Sequence, residues 1–413
     1  MPHPSNESLT NRWPALLVLA VLALLPVGRV AELPLAFTAI AGAVWAWRER
    51  AQWPRGVRLA ALLFACYAFA ALLSAPTAVA PMKSWSTVAA VLRFLPFALG
   101  TCFAMREATL WPRVIAAAAM LVVLWLLDAW VQMATGYGIA GAATSERLTG
   151  IFGAGNLKLG PVLAVLAPFV FVAARARFGR AGLIAAFVFQ LPPILLAGSR
   201  AAWLMYALVT LALVWREARA PLRFAAWCAG ALGLALLVAV LAWWSSAAFE
   251  ARVGRSLLAL EGSAGALDEA AAGRLRIWHA AERMIAAHPL TGVGVRGFRY
   301  AYPAFAEPGD AFVDPQTDEG AAHAHQIVLE VLSETGAVGL ALWLLGAVAA
   351  LRAWRRAGAA ARERALAPAL ALATMCFPLN THLAFYSAWW GLLFWWLLAL
   401  YCAALGAEDT GGA

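Results

Sequence analysis

The chain has 413 residues, of which 63% are hydrophobic and only 13% charged, and its mean hydropathy is +0.76. Its net charge is +9. A chain with this apolar fraction has too few polar residues to cover a water-exposed surface, so a soluble globular protein is excluded. A bilayer core takes roughly 20 apolar residues per helix, and runs of that order recur from Pro14 to Cys402. The composition therefore predicts an all-α integral membrane protein.

About twelve apolar runs are predicted to span the membrane as helices, because backbone groups in lipid must be bonded within their own segment. A β-barrel would show alternating polarity instead. The runs are roughly 13–27, 33–47, 57–73, 88–105, 114–133, 157–174, 183–196, 201–215, 224–245, 326–351, 365–377 and 384–405. Three regions follow: spans 1 to 9 over residues 1–245, a long polar loop with helices over 246–325, and spans 10 to 12 over 326–413.

Arginines collect in alternate loops, and positive residues near span ends are held on the cytoplasmic side. The residues of this set are Arg48, Arg50, Arg55, Arg58, Arg106, Arg113, Arg175, Arg177, Arg180, Arg216, Arg219, Arg223, Arg352, Arg355, Arg356, Arg362 and Arg364. With an even number of spans, both termini are then cytoplasmic and the long loop faces outward. The positive charge indicates this topology and contact with anionic lipid rather than with nucleic acid.

Basic residues on the predicted outer side need a separate explanation. They are Arg29, Lys83, Arg147, Lys158, Arg200, Arg252, Arg255, Arg274, Arg276, Arg283, Arg296 and Arg299. Arg200 and Lys158 each lie beside a span, and the tight connection Gly198-Ser199-Arg200 places a guanidinium at the membrane interface. A charge at the bilayer centre costs about 2.5–3.5 kcal/mol, and less toward the interface, so such a residue usually has a partner or a function. Snorkelling to the headgroups is the alternative for these two, and pairing with loop acids is the alternative for the loop arginines.

The long loop contains a predicted helix over 273–285. Helical spacing puts Arg274 and Trp278 on one face of it, while Arg276 points elsewhere. A glycine-rich turn follows over 288–298. Because this turn does not lie between a strand and a helix, a dinucleotide-binding fold is excluded.

His325 lies where the polar loop meets the tenth span. We predict that it occupies the first turn of that helix, on one face with Leu329 and Leu332. A helix N-terminus disfavours the imidazolium, which would leave a neutral nitrogen suited to a general base. A capping or buried structural histidine is the alternative, and His323 is interpreted as an ordinary residue.

A metal site could be drawn from His323 and His325 with Asp314 or Asp318. Against it, no Asp-x-Asp occurs in a predicted outer loop, and a divalent cation that carries a diphosphate normally needs carboxylates. Arginine binds phosphate through two parallel hydrogen bonds and keeps its charge. The sequence therefore predicts neither a metal nor another cofactor.

Three motifs in order resemble the O-antigen ligase/polymerase superfamily. They are Gly-Arg-x-x-x-Trp at 273–278, His-Pro-Leu-x-Gly-Val-Gly at 288–294, and His-x-x-x-Leu-Glu-x-x-x-Glu-x-Gly-x-x-Gly-Leu at 325–340. The resemblance implies a membrane glycosyltransferase of GT-C-like architecture at the outer, periplasmic face of the bacterial inner membrane. It implies a polysaccharide linked to undecaprenyl diphosphate as donor, no divalent metal, and, in the ligase branch, a sugar hydroxyl of lipid A-core as acceptor.

The resemblance also assigns residues. The family's essential histidine corresponds to His325, and its essential arginines to Arg200 and Arg274, with Arg276 as an alternative. The asparagine that usually follows the histidine is Gln326 here. These assignments predict an inverting O-antigen ligase in which His325 acts as the base and the arginines stabilise the departing diphosphate, with Arg147 and Lys158 as further contacts.

Three alternatives stay open at this point. An O-antigen polymerase would use a second lipid-linked repeat as acceptor, and sequence separates it poorly from a ligase. A purely structural assembly partner is the second, but it would not need histidine and arginine collected on one face. A twelve-span transporter or flippase is the third. Against the transporter, no repeat of the first six spans is visible in the last six, and the spans carry little charge beyond Arg93 and Asp128.

Overall fold

The computed structural model describes residues 13–144, 147–381 and 384–408. The helices are α1 (Trp13–Leu24), α2 (Glu32–Arg48), α3 (Arg55–Ser74), α4 (Pro81–Val91), α5 (Phe94–Ala104), α6 (Trp111–Thr135), α7 (Leu159–Leu196), α8 (Arg200–Ala218), α9 (Pro221–Ser245), α10 (Ala247–Leu257), α11 (Ala264–Ala270), α12 (Arg274–Ala287), α13 (Phe298–Phe305), α14 (Ile327–Arg356), α15 (Ala359–Met375) and α16 (Ala388–Gly406). A hairpin of two short strands follows α6, β1 (Tyr137–Gly138) and β2 (Gly141–Ala142).

Within the described residues, nine helical stretches are long and apolar enough to cross a membrane. Three of them contain a glycine with positive φ: the stretch 13–48 at Gly28 (φ 69°), α7 at Gly179 (φ 64°) and α14 at Gly336 (φ 65°). When the first two stretches are divided at their glycines and α15 (17 residues) is added, each predicted span has a helix. The all-α membrane class is therefore confirmed, while the number of crossings stays a prediction.

The interruption in α7 reverses the chain. A Cβ on Gly182 would lie 2.2 Å from the carbonyl oxygen of Ala174, although residues eight apart in a straight helix are separated by about 12 Å. Tyr206 of α8 stacks on both Phe171 and Phe187, at 5.9 and 5.7 Å between ring centroids. α7 therefore consists of two helices that fold back on each other.

The core is centred on α16, which is apolar around its whole circumference and almost entirely buried. This is the pattern expected of a helix surrounded by others. Trp395 stacks on Phe94 of α5, and Trp396 packs against Phe169 of α7. By contrast, Ala242 is the one buried residue of α9, so α9 lies at the periphery.

Three of the arginines predicted to be cytoplasmic meet at one end of the bundle. Glu217, in the last turn of α8, pairs with Arg175 and Arg180 on either side of the reversal in α7, at 2.9 and 3.6 Å. Arg216 pairs with Glu363 at the start of α15. Arg200 begins α8, so at 1.5 Å per residue it lies about 25 Å from this end.

The glycine-rich turn after α12 packs against a bend in α14. α14 bends at Gly336, which has a φ of 65°. The carbonyl of Pro289 accepts the N–H of Ala337, and the N–H of Val293 donates to the carbonyl of Ser333, each at 2.8 Å. The motif His-Pro-Leu-x-Gly-Val-Gly thus fixes the long loop to the helix that follows it.

Candidate active site

His325 lies outside α14, so the prediction that it occupies the first helical turn is wrong. α14 begins at Ile327, and Gln326 is its N-cap. The side-chain oxygen of Gln326 accepts the N–H of Leu329 at 2.5 Å, which satisfies a backbone donor at the helix start. His325 takes a left-handed backbone conformation with φ 53°, which is uncommon and strained for a residue other than glycine. Capping is therefore the role of Gln326.

The tautomer of His325 is fixed by one hydrogen bond. Its Nδ1 lies 2.9 Å from the carbonyl oxygen of Thr381. Since a carbonyl only accepts, Nδ1 carries the hydrogen, and Nε2 of the neutral ring keeps its lone pair. Burial, then the charge of His323, lowers the pKa of His325 to about 3, and Arg274 adds to the shift while the bond to Thr381 opposes it. The ring is neutral because of its surroundings and not because of a position inside the helix.

The turn that carries His325 is held by two further side chains. Nδ1 of His323 accepts the backbone N–H of His325 at 3.2 Å, and the two rings lie 3.9 Å apart between centroids. Nε1–H of Trp278 donates to the carbonyl of Ala324 at 3.1 Å. Burial, then the charge of Arg296, lowers the pKa of His323 to about 3. The interpretation of His323 as an ordinary residue is therefore wrong, because its ring holds the turn that carries His325.

Two fully buried carboxylates, Glu330 and Glu334, lie on α14 beside this turn. Oε1 of Glu330 accepts the N–H of Phe385 at 2.7 Å, and its Oε2 lies 3.5 Å from Nδ1 of His323. Oε2 of Glu334 accepts the N–H of Arg296 at 2.8 Å. The motif at 325–340 includes both acids, but the sequence predicts no role for either of them. Two acids four residues apart in an apolar span were the signal, because intramembrane charge is costly.

A cavity of about 470 Å³ opens beside the two histidines. Its lining residues are Ala154, Gly155, Asn156, Leu157, Lys158, His323, His325 and Trp390. Nζ of Lys158 lies 4.6 Å from the ring centre of Trp389, a cation–π contact that positions the ammonium. The structure therefore brings Lys158 and His325 to one cavity. Trp390 is an aromatic wall of the cavity that the sequence did not assign to it.

Arg200 is placed by the start of α8 and by the loop helices above it. Gly198 takes a φ of 71°, and the hydroxyl of Ser199 caps α8. Nη1 of Arg200 donates to the hydroxyl of Ser256 in α10 at 3.2 Å and to the carbonyl of Ala270 in α11. These contacts hold the guanidinium at the outer end of the bundle.

Arg274 links Arg200 to the histidines electrostatically. It begins α12, directly after Gly273, where a Cβ would lie 2.8 Å from the ring of Phe312. Burial, then the charge of Arg200, lowers the pKa of Arg274, and Arg274 lowers the pKa of both histidines. In the part of the chain that the structure describes, neither Arg200 nor Arg274 forms an ion pair with a carboxylate. Two adjacent cations without a carboxylate suit an anionic ligand.

The other two predicted contacts are placed differently. Nε of Arg276 lies 3.0 Å from Oδ2 of Asp268, and its side chain is 51% exposed, so the geometry favours Arg274 over Arg276 as the diphosphate contact. The backbone N–H of Arg147 donates to the hydroxyl of Thr144. Arg147 is not among the described residues that line the cavity beside His325.

The residues around the histidines fit an anion better than a cation. Among the described residues, no three His, Cys, Asp or Glu side chains are grouped so that they could hold a metal ion. Asp314, which could be drawn as a ligand, accepts the N–H of Gln316 in its own turn at 2.8 Å. The charges that lower the pKa of His323 come from Arg296, Arg274 and Arg299.

Comparison with known proteins agrees with the motifs. Residues 185–344 match the family model Wzy_C, described as O-Antigen ligase. The matched segment runs from the second half of α7 into α14 and contains Arg200, Arg274 and His325. No curated protein matches the chain.

Proposed function

We propose that this chain, whose residues 185–344 match the O-antigen ligase family model, is an O-antigen ligase. It transfers O-antigen polysaccharide from undecaprenyl diphosphate to a sugar hydroxyl of lipid A-core. The observation that carries the proposal is the neutral His325, whose Nδ1 is bonded to Thr381 so that Nε2 is free to accept a proton, in a cavity shared with Lys158. The family match supports this class of transfer, and the acceptor is part of the proposal.

The reaction follows from these groups as a single displacement. Nε2 of His325 removes the proton of the acceptor hydroxyl. The oxygen attacks the anomeric carbon of the first sugar of the polymer and inverts its configuration, while the bond from that carbon to the diphosphate oxygen breaks. The electron pair leaves with undecaprenyl diphosphate, and Arg200 and Arg274, with Lys158, stabilise the charge that develops there. The reaction requires no metal.

Donor binding has to strengthen the base. A histidine with a pKa of about 3 is a weak base, and part of that shift comes from the nearby charge of Arg274. A diphosphate beside Arg200 and Arg274 offsets this positive charge, which raises the pKa of His325 in the complex. The site therefore becomes competent for proton removal when the donor is present.

The proposed location is the bacterial inner membrane, with the site on the periplasmic face and both termini in the cytoplasm. The arginine distribution supports this orientation. The positions of Arg200 and Glu217 at opposite ends of α8 agree with it.

The test is a lipopolysaccharide gel, together with the undecaprenyl-linked pool, from cells that lack the gene and are complemented with variants. His325→Ala is expected to leave lipid A-core without polymer while lipid-linked polymer accumulates. His279→Ala is the matched control, since His279 lies on α12 in an exposed position, and it should restore the ladder. Core capped with a single repeat would identify a polymerase instead, and an unchanged ladder in the null strain would favour a transporter.

A further inference from the structure

An apolar groove of about 460 Å³ lies inside the bundle, with walls from α3, α14, α15 and α16. Helices α14 and α15 are joined only by Ala357 and Gly358. Yet α14 packs along α3, whereas α15 packs along α16 and α7, and the two hardly touch each other. They therefore diverge from their connecting turn, and the gap between them opens sideways, where a membrane would present its hydrocarbon.

The surface of the groove is hydrocarbon, although three tyrosines line it. The hydroxyl of Tyr67 donates to the carbonyl of Phe385 at 3.1 Å, that of Tyr401 to Ala350 at 2.8 Å, and that of Tyr386 to Tyr67 at 3.4 Å. Each phenol is thus satisfied by a backbone carbonyl and presents its ring to the groove. An occupant gains from burying apolar surface there and finds little to bond a sugar or a peptide.

The outer end of the groove adjoins the candidate active site. Phe385 and Tyr386 line the groove, and the backbone N–H of Phe385 donates to the carboxylate of Glu330 at 2.7 Å. The other oxygen of Glu330 lies 3.5 Å from His323. His325 is bonded to Thr381 in the same loop. An apolar chain in the groove would therefore end close to the histidines.

We propose that this groove holds the polyprenyl chain of the lipid-linked donor, which enters sideways between α14 and α15. The proposal rests on the proposed function, because it takes the donor to be a prenyl diphosphate. The chain occupies the groove, and the diphosphate emerges at the outer end beside His323 and His325. From Trp343 to Trp354, both of which line it, the groove follows α14 for about 16 Å, enough for several isoprene units.

The test fills the groove without touching the charged site. Ala347 is exposed and lines the groove, so Ala347→Trp narrows the groove without a clash in the core. Gly346→Leu is a second variant: a Cβ at Gly346 would lie 3.5 Å from Cβ of Cys66, an ordinary contact, and the longer side chain would extend into the groove. Leu345→Trp is the matched control, because Leu345 is 51% exposed on the same helix and does not line the groove.

The full-length protein in phospholipid nanodiscs is given two donors with the same glycan, one on undecaprenyl diphosphate and one on geranyl diphosphate, with lipid A-core as acceptor. For Ala347→Trp and Gly346→Leu we expect kcat/KM to fall at least about tenfold with the long donor. A loss of this size follows if the new side chain displaces only two or three methylene groups of the polyprenyl chain from the groove. With the short donor they should stay within about twofold of wild type, and Leu345→Trp should match wild type with both.

An equal loss with both donors would overturn the proposal, because the variants would then act through folding or the charged site. Wild-type rates with both donors would also overturn it, and would leave the groove to the acyl chains of ordinary phospholipids. Failure of the proposed function looks different: the wild-type protein would transfer glycan from neither donor.

Discussion

The two ends of the bundle are both rich in arginine but use it differently. At the predicted cytoplasmic end, Arg175, Arg180 and Arg216 are 44%, 58% and 44% exposed, and each pairs with a glutamate. At the end that carries the histidines, Arg200 and Arg274 are half-buried. In the described ranges of the chain, neither has a carboxylate partner.

This difference separates topology from function. Exposed ion pairs contribute about 0–1 kcal/mol to stability, so the cytoplasmic arginines are explained by the rule that orients membrane helices. Half-buried cations without a counter-ion are costly and are retained when a ligand supplies the opposite charge. Cavity size does not separate the two ends, since the basic cavity between Arg175 and Arg364 is larger, at about 740 Å³ against about 470 Å³. Burial and the absence of a partner are the informative features.

The sharpest test of the comparison is His325→Asn. Asparagine tolerates a positive φ and offers an amide N–H to the carbonyl of Thr381, but it has no basic nitrogen. The turn is thus preserved while the base is lost, and kcat should fall by about 10²–10⁴. The measurement is transfer by purified protein, with the thermal midpoint as a control for folding. Activity within a few-fold of wild type would remove His325 as the base.

Arg274→Gln and Arg276→Gln compare a half-buried arginine with an exposed one on the same helix. Arg274→Gln should lower kcat by about 10²–10³, because a donor aimed at the developing charge is lost. Arg276→Gln breaks only the exposed pair with Asp268 and should stay within about threefold. Both rates are measured with saturating acceptor. A reversed order would assign the diphosphate contact to Arg276.

The sequence predicted the membrane class, the positions of the apolar helices and the helix with Arg274, because apolar runs and helical periodicity are local signals. His325 was identified by a motif, but its conformation was not. The helix starts two residues later because Gln326 caps it, and apolar spacing does not detect a cap. His323 and Glu330 could not be related in advance, since the chain between them turns at His325, which has a φ of 53°, and apolar spacing does not predict such a turn.

The pH dependence tests whether burial and positive charge keep His325 neutral. The base acts when deprotonated, so any loss lies on the acid side. With a pKa of about 3 in the free protein, kcat/KM should stay flat from about pH 8 to 5, where an ordinary histidine would cost about thirtyfold. The acid limb of kcat should lie at a higher pH, because the bound diphosphate offsets Arg274. An acid limb of kcat/KM near the ordinary histidine value would contradict the buried environment.

Trp278→Phe removes one hydrogen bond from the turn at the buried end. Its Nε1–H donates to Ala324, and a neutral hydrogen bond contributes about 0.5–1.5 kcal/mol. We expect kcat to fall about three- to tenfold with KM nearly unchanged, because the indole orients His325 and need not contact the donor. The pH profile should keep its shape. A rise in KM at constant kcat would instead place Trp278 in contact with the substrate.

Arg216→Gln at the opposite end should have the smallest effect of all. Its pair with Glu363 is exposed on both sides, at 44% and 58%, so the expected loss of stability is below about 1 kcal/mol and the transfer rate should stay within about twofold. The same replacement of arginine by glutamine at Arg274 is expected to lower kcat by about 10²–10³. The two variants therefore compare the catalytic contribution of a half-buried arginine with that of an exposed one. If Arg216→Gln abolished transfer while the thermal midpoint held, the cytoplasmic end would have a part in the reaction and the division between the two ends would fail.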